Sequence, residues 1–247
     1  MAERNVPVFR LRNRGDLLPP GEIYQIRRTL NHGGLCLLPS DTCYALAANP
    51  MRKGVAELID LVLDRNKQKI ALSFASQIMV ERYVDLGVQE YRLLDAADRN
   101  MPLTVVAPIS RRLAPNVQAS LPEALFTKGE LGIRLPASWV ERQISSEMDG
   151  PITTAAIYYE DGSSVRNFED AIAVVLTGLT RAQRDDVPLV AVRHPTIKAR
   201  DVSSVVGFPD DPDGKRLMIV YREGAVERKR LVELAGRITP RDIEDWT

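Results

Sequence analysis

Leu38-Pro39-Ser40-Asp41-Thr42-Cys43-Tyr44-Ala45-Leu46 sets a hydroxyl-rich turn directly behind a short apolar run, Leu35 to Leu38, that reads as a buried strand. In open α/β sheets ligands bind in the crevice outside strand ends, which is where this turn falls. Hydroxyls and free backbone N–H groups hold a carboxylate or phosphate there without a formal positive charge. A plain Asx/ST turn has the same composition, and local composition alone favours that plainer reading. Outward from the turn, strand-like and helix-like segments alternate to both ends, with no Ser/Gly linker and no repeat of fixed period. That alternation predicts an α/β fold.

Upstream, Val6 to Leu11 reads as an edge strand, because Pro7 cannot donate to a central ladder. Pro19, Pro20 and Gly21 open a helix with Ile23, Ile26 and Leu30 on one face, closed by Gly33 and Gly34. Downstream, Val55, Leu58, Ile59, Val62 and Leu63 form the apolar stripe of a helix leading into a strand from Ile70 to Ala75. Two helices are expected over residues 76 to 99, one near Trp139 to Met148, and one carrying Phe168, Ala171, Ile172, Val175, Leu176 and Leu179. Further strands are expected at Leu103 to Ala107, Leu131 to Leu135, Ile152 to Tyr159, Leu189 to Val192, Val202 to Val206 and Leu217 to Tyr221. Thr239 before Pro240 resembles an N-cap and first helical position, predicting a short C-terminal helix. Residues 111 to 128, with Pro115 and Pro122 and no clear periodicity, read as a surface loop or lid.

The chain has 247 residues, 45% of them hydrophobic and 27% charged, which is the composition of a folded globular protein rather than of disorder. Thirty-three basic side chains balance thirty-three acidic ones, so no whole-molecule field draws the chain to nucleic acid or to an anionic membrane. Anion binding must then be local. Cys36 and Cys43 form no CxxC pair, and with only His32 and His194 they make a poor zinc set. The charged start is unlike a signal peptide and no apolar run is long enough to span a membrane, so a cytoplasmic location is expected.

Arg65, Lys67 and Lys69 follow the amphipathic helix and precede the next buried strand. Three converging cations there suit a triphosphate or an RNA backbone, and equally suit a solvated helix C-terminus. Pro102-Leu103-Thr104, Gly132-Ile133-Arg134-Leu135-Pro136, Val202-Ser203-Ser204-Val205-Val206 and Tyr221-Arg222-Glu223-Gly224 each set a polar or cationic residue beside a strand. Taken in order with the Ser40 to Leu46 turn, this set resembles the YrdC-like family of threonylcarbamoyl-AMP synthases, whose motifs read approximately PTDTVYGL, KxR, PLT, GxRxP, SAN, ST-VV and RxG. The resemblance covers residues 17 to 227. It looks closest to the YciO branch, because Tyr44-Ala45-Leu46 replaces Tyr-Gly-Leu and the KxR and SAN motifs are altered.

The resemblance implies a twisted, open, mixed α/β sheet with flanking helices and a large concave pocket, formed by residues 1–227, with residues 228–247 as a short helical extension. It implies an amino-acid and nucleotide pocket that includes Ser40, Thr42, Tyr44, Lys69, Thr104, Arg134, Ser203, Ser204 and Arg222, with Arg65 and Lys67 as the cations at the reacting phosphates. The implied reaction joins L-threonine, or another amino acid, to bicarbonate as a carbamate that attacks the α-phosphate of ATP. Pyrophosphate leaves and the carbamoyl adenylate, an intermediate for tRNA modification, remains. Magnesium would accompany ATP. The chain departs from the family at three places. Set on the family's Pro-Leu without gaps, Ala71-Leu72 brings Asp64 and Asn66 to KxR, whereas a slip of one residue brings Arg65 and Lys67. Ala156-Ile157-Tyr158 stands at SAN, and Ser138 where a His is common. Lost polar contacts of this kind are worth about 1–3 kcal/mol each. They leave open an alternative, a non-catalytic RNA- or nucleotide-binding protein on the same fold, with basic clusters such as Arg228-Lys229-Arg230 as local patches or as a solvated helix face.

Overall fold

The computed structural model describes residues 5–13, 16–65, 69–114, 117, 121, 126–127, 129–194, 197, 201–210, 216–236 and 240–241. The described strands are β1 (Val8–Arg10), β2 (Leu35–Pro39), β3 (Tyr44–Ala47), β4 (Ala71–Ser73), β5 (Leu103–Pro108), β6 (Phe126–Thr127), β7 (Glu130–Arg134), β8 (Ile152–Ala156), β9 (Leu189–Arg193), β10 (Ser204–Gly207), β11 (Met218–Arg222) and β12 (Pro240–Arg241). They join in one mixed sheet in the order β1-β9-β2-β3-β8-β4-β7-β5-β10-β11-β12, with β6 paired to β7. The described helices are α1 (Pro20–Asn31), α2 (Val55–Leu63), α3 (Gln77–Val80), α4 (Val88–Asp98), α5 (Trp139–Glu147), α6 (Phe168–Arg181) and α7 (Arg228–Ala235).

Successive side chains of a strand point to opposite faces, so the sheet has two different surfaces. On one face Leu37, Leu46, Leu72, Val105, Ile133, Ala155 and Val206 join a large core with the apolar sides of α2, α4, α6 and α7. On the other face Cys36, Leu38, Ala45, Ala47, Ile152 and Val192 pack under Ile23, Ile26 and Leu30 of α1 and Val140 and Ile144 of α5. This second helical layer covers β9, β2, β3 and the start of β8. Beyond it the registers Ala71↔Thr154, Ser73↔Arg134 and Val205↔Thr104 carry the same face on across β4, β7, β5 and β10. Among the described residues no helix covers it there, and the candidate pocket lies on it.

Several elements differ from the sequence reading. Tyr44 to Leu46, read as part of a turn, is the start of β3: only four residues, Ser40 to Cys43, reverse the chain before Tyr44 pairs antiparallel with Pro39. The second strand is only four residues long and buried on both faces, too short and uniform to show a period of its own beside the polar turn. Pro240 does not open a helix. It lies beside Met218 at the parallel edge of β11, a place where a residue without an N–H is tolerated. β8 stops at Ala156 rather than Tyr159, and the strand expected from Val202 begins at Ser204. Within 111–128, Phe126–Thr127 pairs with β7, while residues 115–116, 118–120, 122–125 and 128 lie outside the described residues. The edge position of β1 is as expected, with the Pro7 carbonyl accepting from Ala191 N–H at 2.9 Å.

Candidate functional site

The uncovered half-face forms a concave pocket with about 900 Å³ of space between its walls, part of it open to solvent. Its floor comes from alternate strand residues: Ala71 on β4, Thr104 and Val106 on β5, Gly132 and Arg134 on β7, Thr154 and Ala156 on β8, and Val205 on β10. Small residues at Ala71, Gly132 and Ala156 keep that floor low. Arg65, Lys69 and Arg222 stand on the walls, with Glu130, Tyr158 and Tyr221 between them. Burial and the carboxylate of Glu130 push the Tyr221 phenol up to about 12, so it stays protonated.

Arg65 arrives here because α2 ends abruptly. Asp64 takes a left-handed conformation (φ 55°) and turns the chain out of the helix, and the Arg65 side chain then donates to the Lys69 carbonyl at 3.2 Å. Its Nε and Nη1 are buried and, among the described residues, meet no hydrogen-bond acceptor. Burial lowers the pKa of this guanidinium, Asp60 and the Tyr158 phenol oppose the fall, and the like charge of Arg222 adds to it. A buried donor pair without an acceptor costs free energy that an anionic oxygen would recover.

Arg134 sits at the end of β7, buried, with its charge already met by Asp41 of the β2–β3 turn in an ion pair. Asp41 also accepts from Ala137 N–H at 3.3 Å. Burial works against the Arg134 charge, but Asp41 and Glu141 more than offset it, so its pKa is raised. Its other arm makes a long 3.5 Å contact with the Ser203 hydroxyl. Ser203 is the hub of the pocket's inner end: Thr104 Oγ1 lies 3.0 Å from its hydroxyl, and Arg222 donates to its carbonyl at 3.0 Å and to its hydroxyl at 3.2 Å. Arg222 also reaches the Tyr158 hydroxyl at 3.5 Å.

Of the residues singled out in the sequence, Arg65, Lys69, Thr104, Arg134, Ser203 and Arg222 line this one pocket. Lys67 lies outside the described residues. Ser40 stands behind the pocket wall, hydrogen-bonded to Glu141 at 2.6 Å. Thr42 is buried in the turn. Tyr44 points into the main core, edge-on to Phe168, and its hydroxyl bonds the backbone of His194. Ser204 closes a backbone clasp, accepting from Gly224 and Val226 N–H at 3.0 Å and donating to the Val226 carbonyl at 2.7 Å.

Sequence reasoning missed Asp41, Glu141 and Tyr221 as parts of the site, whereas Tyr158, expected at the SAN position, does line the pocket. Glu141 was detectable: it shares a helical face with Val140, Ile144 and Ser145, all buried, and a carboxylate on an apolar face needs a partner. Burial raises its pKa to about 7, Arg134 opposing and Asp41 adding to the rise. The Cys43 thiol is pushed up by burial, which disfavours a thiolate nucleophile. Among the described residues no cluster of three or more His, Cys, Asp or Glu side chains could hold a metal.

The family named for Sua5, YciO and YrdC, described as telomere recombination, matches residues 28–224. No curated protein matches. Among solved structures, P. abyssi Sua5 complexed with L-threonine superposes with a TM-score of 0.70 at 16% identity, over 96% of this chain and 63% of that one. E. coli YciO superposes with a TM-score of 0.70 at 16% identity, over 92% of this chain and 100% of its own. Full-length HypF in its phosphate- and nucleotide-bound form gives 0.60 at 20% identity, over 84% of this chain and 29% of that one. At these identities the superpositions establish the fold. The family match takes in the described pocket residues from Arg65 to Arg222, and the chain belongs to the Sua5/YciO/YrdC family.

Proposed function

We propose that this protein binds ATP and an amino acid in the pocket on the uncovered sheet face and forms a carbamoyl adenylate, L-threonylcarbamoyl-AMP or a close relative, for tRNA modification. The observation that carries this reading is Arg65, whose Nε and Nη1 are buried beside the pocket without an acceptor. With Lys69 and Arg222 it lines the pocket with cations suited to a chain of phosphates, while Asp41 holds Arg134 as part of the wall. The solved Sua5 with L-threonine and HypF with phosphate and nucleotide are consistent with this pairing of ligands on this fold.

The chemistry asks the protein for position and charge. The carbamate of the amino acid attacks the α-phosphorus, pyrophosphate leaves, and neither step needs a covalent bond to the protein. Arg65 and Lys69 would neutralise the charge gathering on pyrophosphate, and Arg222, fixed by Ser203, would orient the adenylate phosphate. Magnesium would arrive on the phosphates, keep several waters and need few protein ligands, in keeping with Glu130 as the carboxylate among the described lining residues. We place the reaction in residues 1–227, with 228–247 as an extension that packs Leu231 and Ala235 into the core. The reading goes with a cytoplasmic setting. Among the described residues no helix is long and apolar enough to cross a membrane.

A specific observation favours a second reading. Ala156 and Tyr158 line the pocket where the family carries a serine and an asparagine, so two polar contacts are replaced by a methyl and a phenol. Such a pocket suits RNA or nucleotide binding without turnover. Pyrophosphate release from ATP with magnesium and bicarbonate, measured across an amino-acid panel with mass spectrometry of the product, separates the two. Amino-acid-dependent release with the matching adenylate is expected; binding without release would support the second reading instead.

A further inference from the structure

Glu141 is completely buried, yet only half satisfied. Its Oε2 accepts from the Ser40 hydroxyl at 2.6 Å; among the described residues its Oε1 makes no well-formed hydrogen bond, although the equally unpaired Ser73 hydroxyl stands close enough to favour the ionised carboxylate. The same Ser40 hydroxyl lies 3.1 Å from Asp41 Oδ1. A hydroxyl has one proton and serves one carboxylate at a time. The groups facing Glu141 are Asp41 and Cys43 from the β2–β3 turn, Arg134 from β7, and the neutral hydroxyls of Ser40 and Ser73. With both carboxylates ionised and the thiol neutral, the cluster holds two negative charges against one guanidinium. That excess negative charge sits directly behind the wall that Arg134, Ser203 and Arg222 present to the pocket.

We propose that Glu141 is a positioning residue that couples anion binding in the pocket to the uptake of one proton. In the ionised state, Ser40 donates to Glu141 and the cluster repels an incoming anion. When a proton from solvent joins Glu141, the carboxyl donates to Ser40 Oγ, and Ser40 turns its own proton to Asp41. The cluster becomes neutral, and Asp41, now sharing its charge with Ser40, holds Arg134 less tightly toward itself. Burial brings the titration of Glu141 close to neutral pH, which puts this exchange within ordinary working conditions. The inference rests on the reading of the pocket as an anion site.

Inorganic pyrophosphate titrated calorimetrically into the full chain, from about pH 6 to about pH 8.5, tests the coupling. Glu141→Gln is run alongside, so that the ligand's own titration cancels in the ratio of affinities. The expected result is that the affinity of the wild type relative to Glu141→Gln falls at least about fivefold as the pH rises across that range. On the wild type alone, infrared difference spectra should show the C=O stretch of a protonated carboxyl appearing when pyrophosphate is added above neutral pH. That measurement stands even if Glu141→Gln fails to fold. Intact pyrophosphate binding with a constant ratio, or with no carboxyl band, overturns the coupling and leaves the anion site standing. Absence of binding to either protein at every pH removes the anion site and the coupling with it.

Discussion

Two arginines of the same pocket have opposite electrostatic situations. Arg134 is buried in an ion pair with Asp41, whereas Arg222 is exposed and, among the described residues, hydrogen-bonded to Ser203 and Tyr158. Removing one partner of a buried pair strands the other, at about 3–5 kcal/mol. Arg134→Ala and Asp41→Asn are therefore expected to lower the urea midpoint strongly, while Arg222→Ala costs less than about 1 kcal/mol of stability and is felt in ligand affinity. Denaturant melts of the three variants check this ordering. Glu141 gives a pH dependence of defined sign. Its folded pKa, about 7, lies above the ordinary 4.5, so between those values the folded state binds more protons than the unfolded one. Stability is lost as pH rises through that window, on the order of 3 kcal/mol in all. Glu141→Gln is expected to remove this slope, so that the variant gains on the wild type from acidic to neutral pH in paired thermal melts.

At the scale of elements, the end of α2 decides where Arg65 stands. Arg181 of α6 donates to the Leu61 and Val62 carbonyls and pairs with Asp64 at 3.2 Å, closing the open carbonyls of α2. Gly178, one turn earlier, lets the backbones touch, because a Cβ there would overlap the Val62 carbonyl oxygen. Gly178→Ala is expected to cost about 1–3 kcal/mol by forcing the helices apart, and to weaken pyrophosphate binding by displacing Arg65. Chemical denaturation and calorimetry on that variant would show both effects together. The α2 stripe was legible in sequence because its spacing is helical, and so were α1, α6 and the buried strands. β3 was not, since four fully buried residues carry no alternation of their own and read as the tail of the polar turn before them. Pro240 was misread because a Thr-Pro pair fits a helix start and an edge strand alike, and only tertiary pairing chooses between them. Of the site, the strand-end motifs and the SAN position with Tyr158 were readable, but the pocket's wall at Tyr221 and the Asp41 and Glu141 carboxylates behind it depend on which elements become neighbours, and no local pattern carries that.

At the scale of the molecule, net charge is zero, yet one face of the sheet gathers Arg65, Lys69 and Arg222 around a concave floor. The topology explains this: among the described residues α1 and α5 cover one half of that face and leave the other half without a helix, so polar and cationic residues meet solvent there rather than a core. Attraction from so few cations is short-ranged, and pyrophosphate affinity is expected to drop as salt shortens the Debye length from about 10 Å at 0.1 M, with a modest slope set by about three charges. A steep slope in an RNA titration would instead mark a longer polyanion footprint. On the proposed reading, the half-face without a helix is a nucleotide site anchored by Arg65. Calorimetric titration of magnesium-ATP into the wild type, Arg65→Ala and Arg222→Ala tests it most directly. Saturable binding to the wild type, weakened about tenfold or more in each variant, is the expected result; no saturable binding, or affinities unchanged by both substitutions, would contradict it.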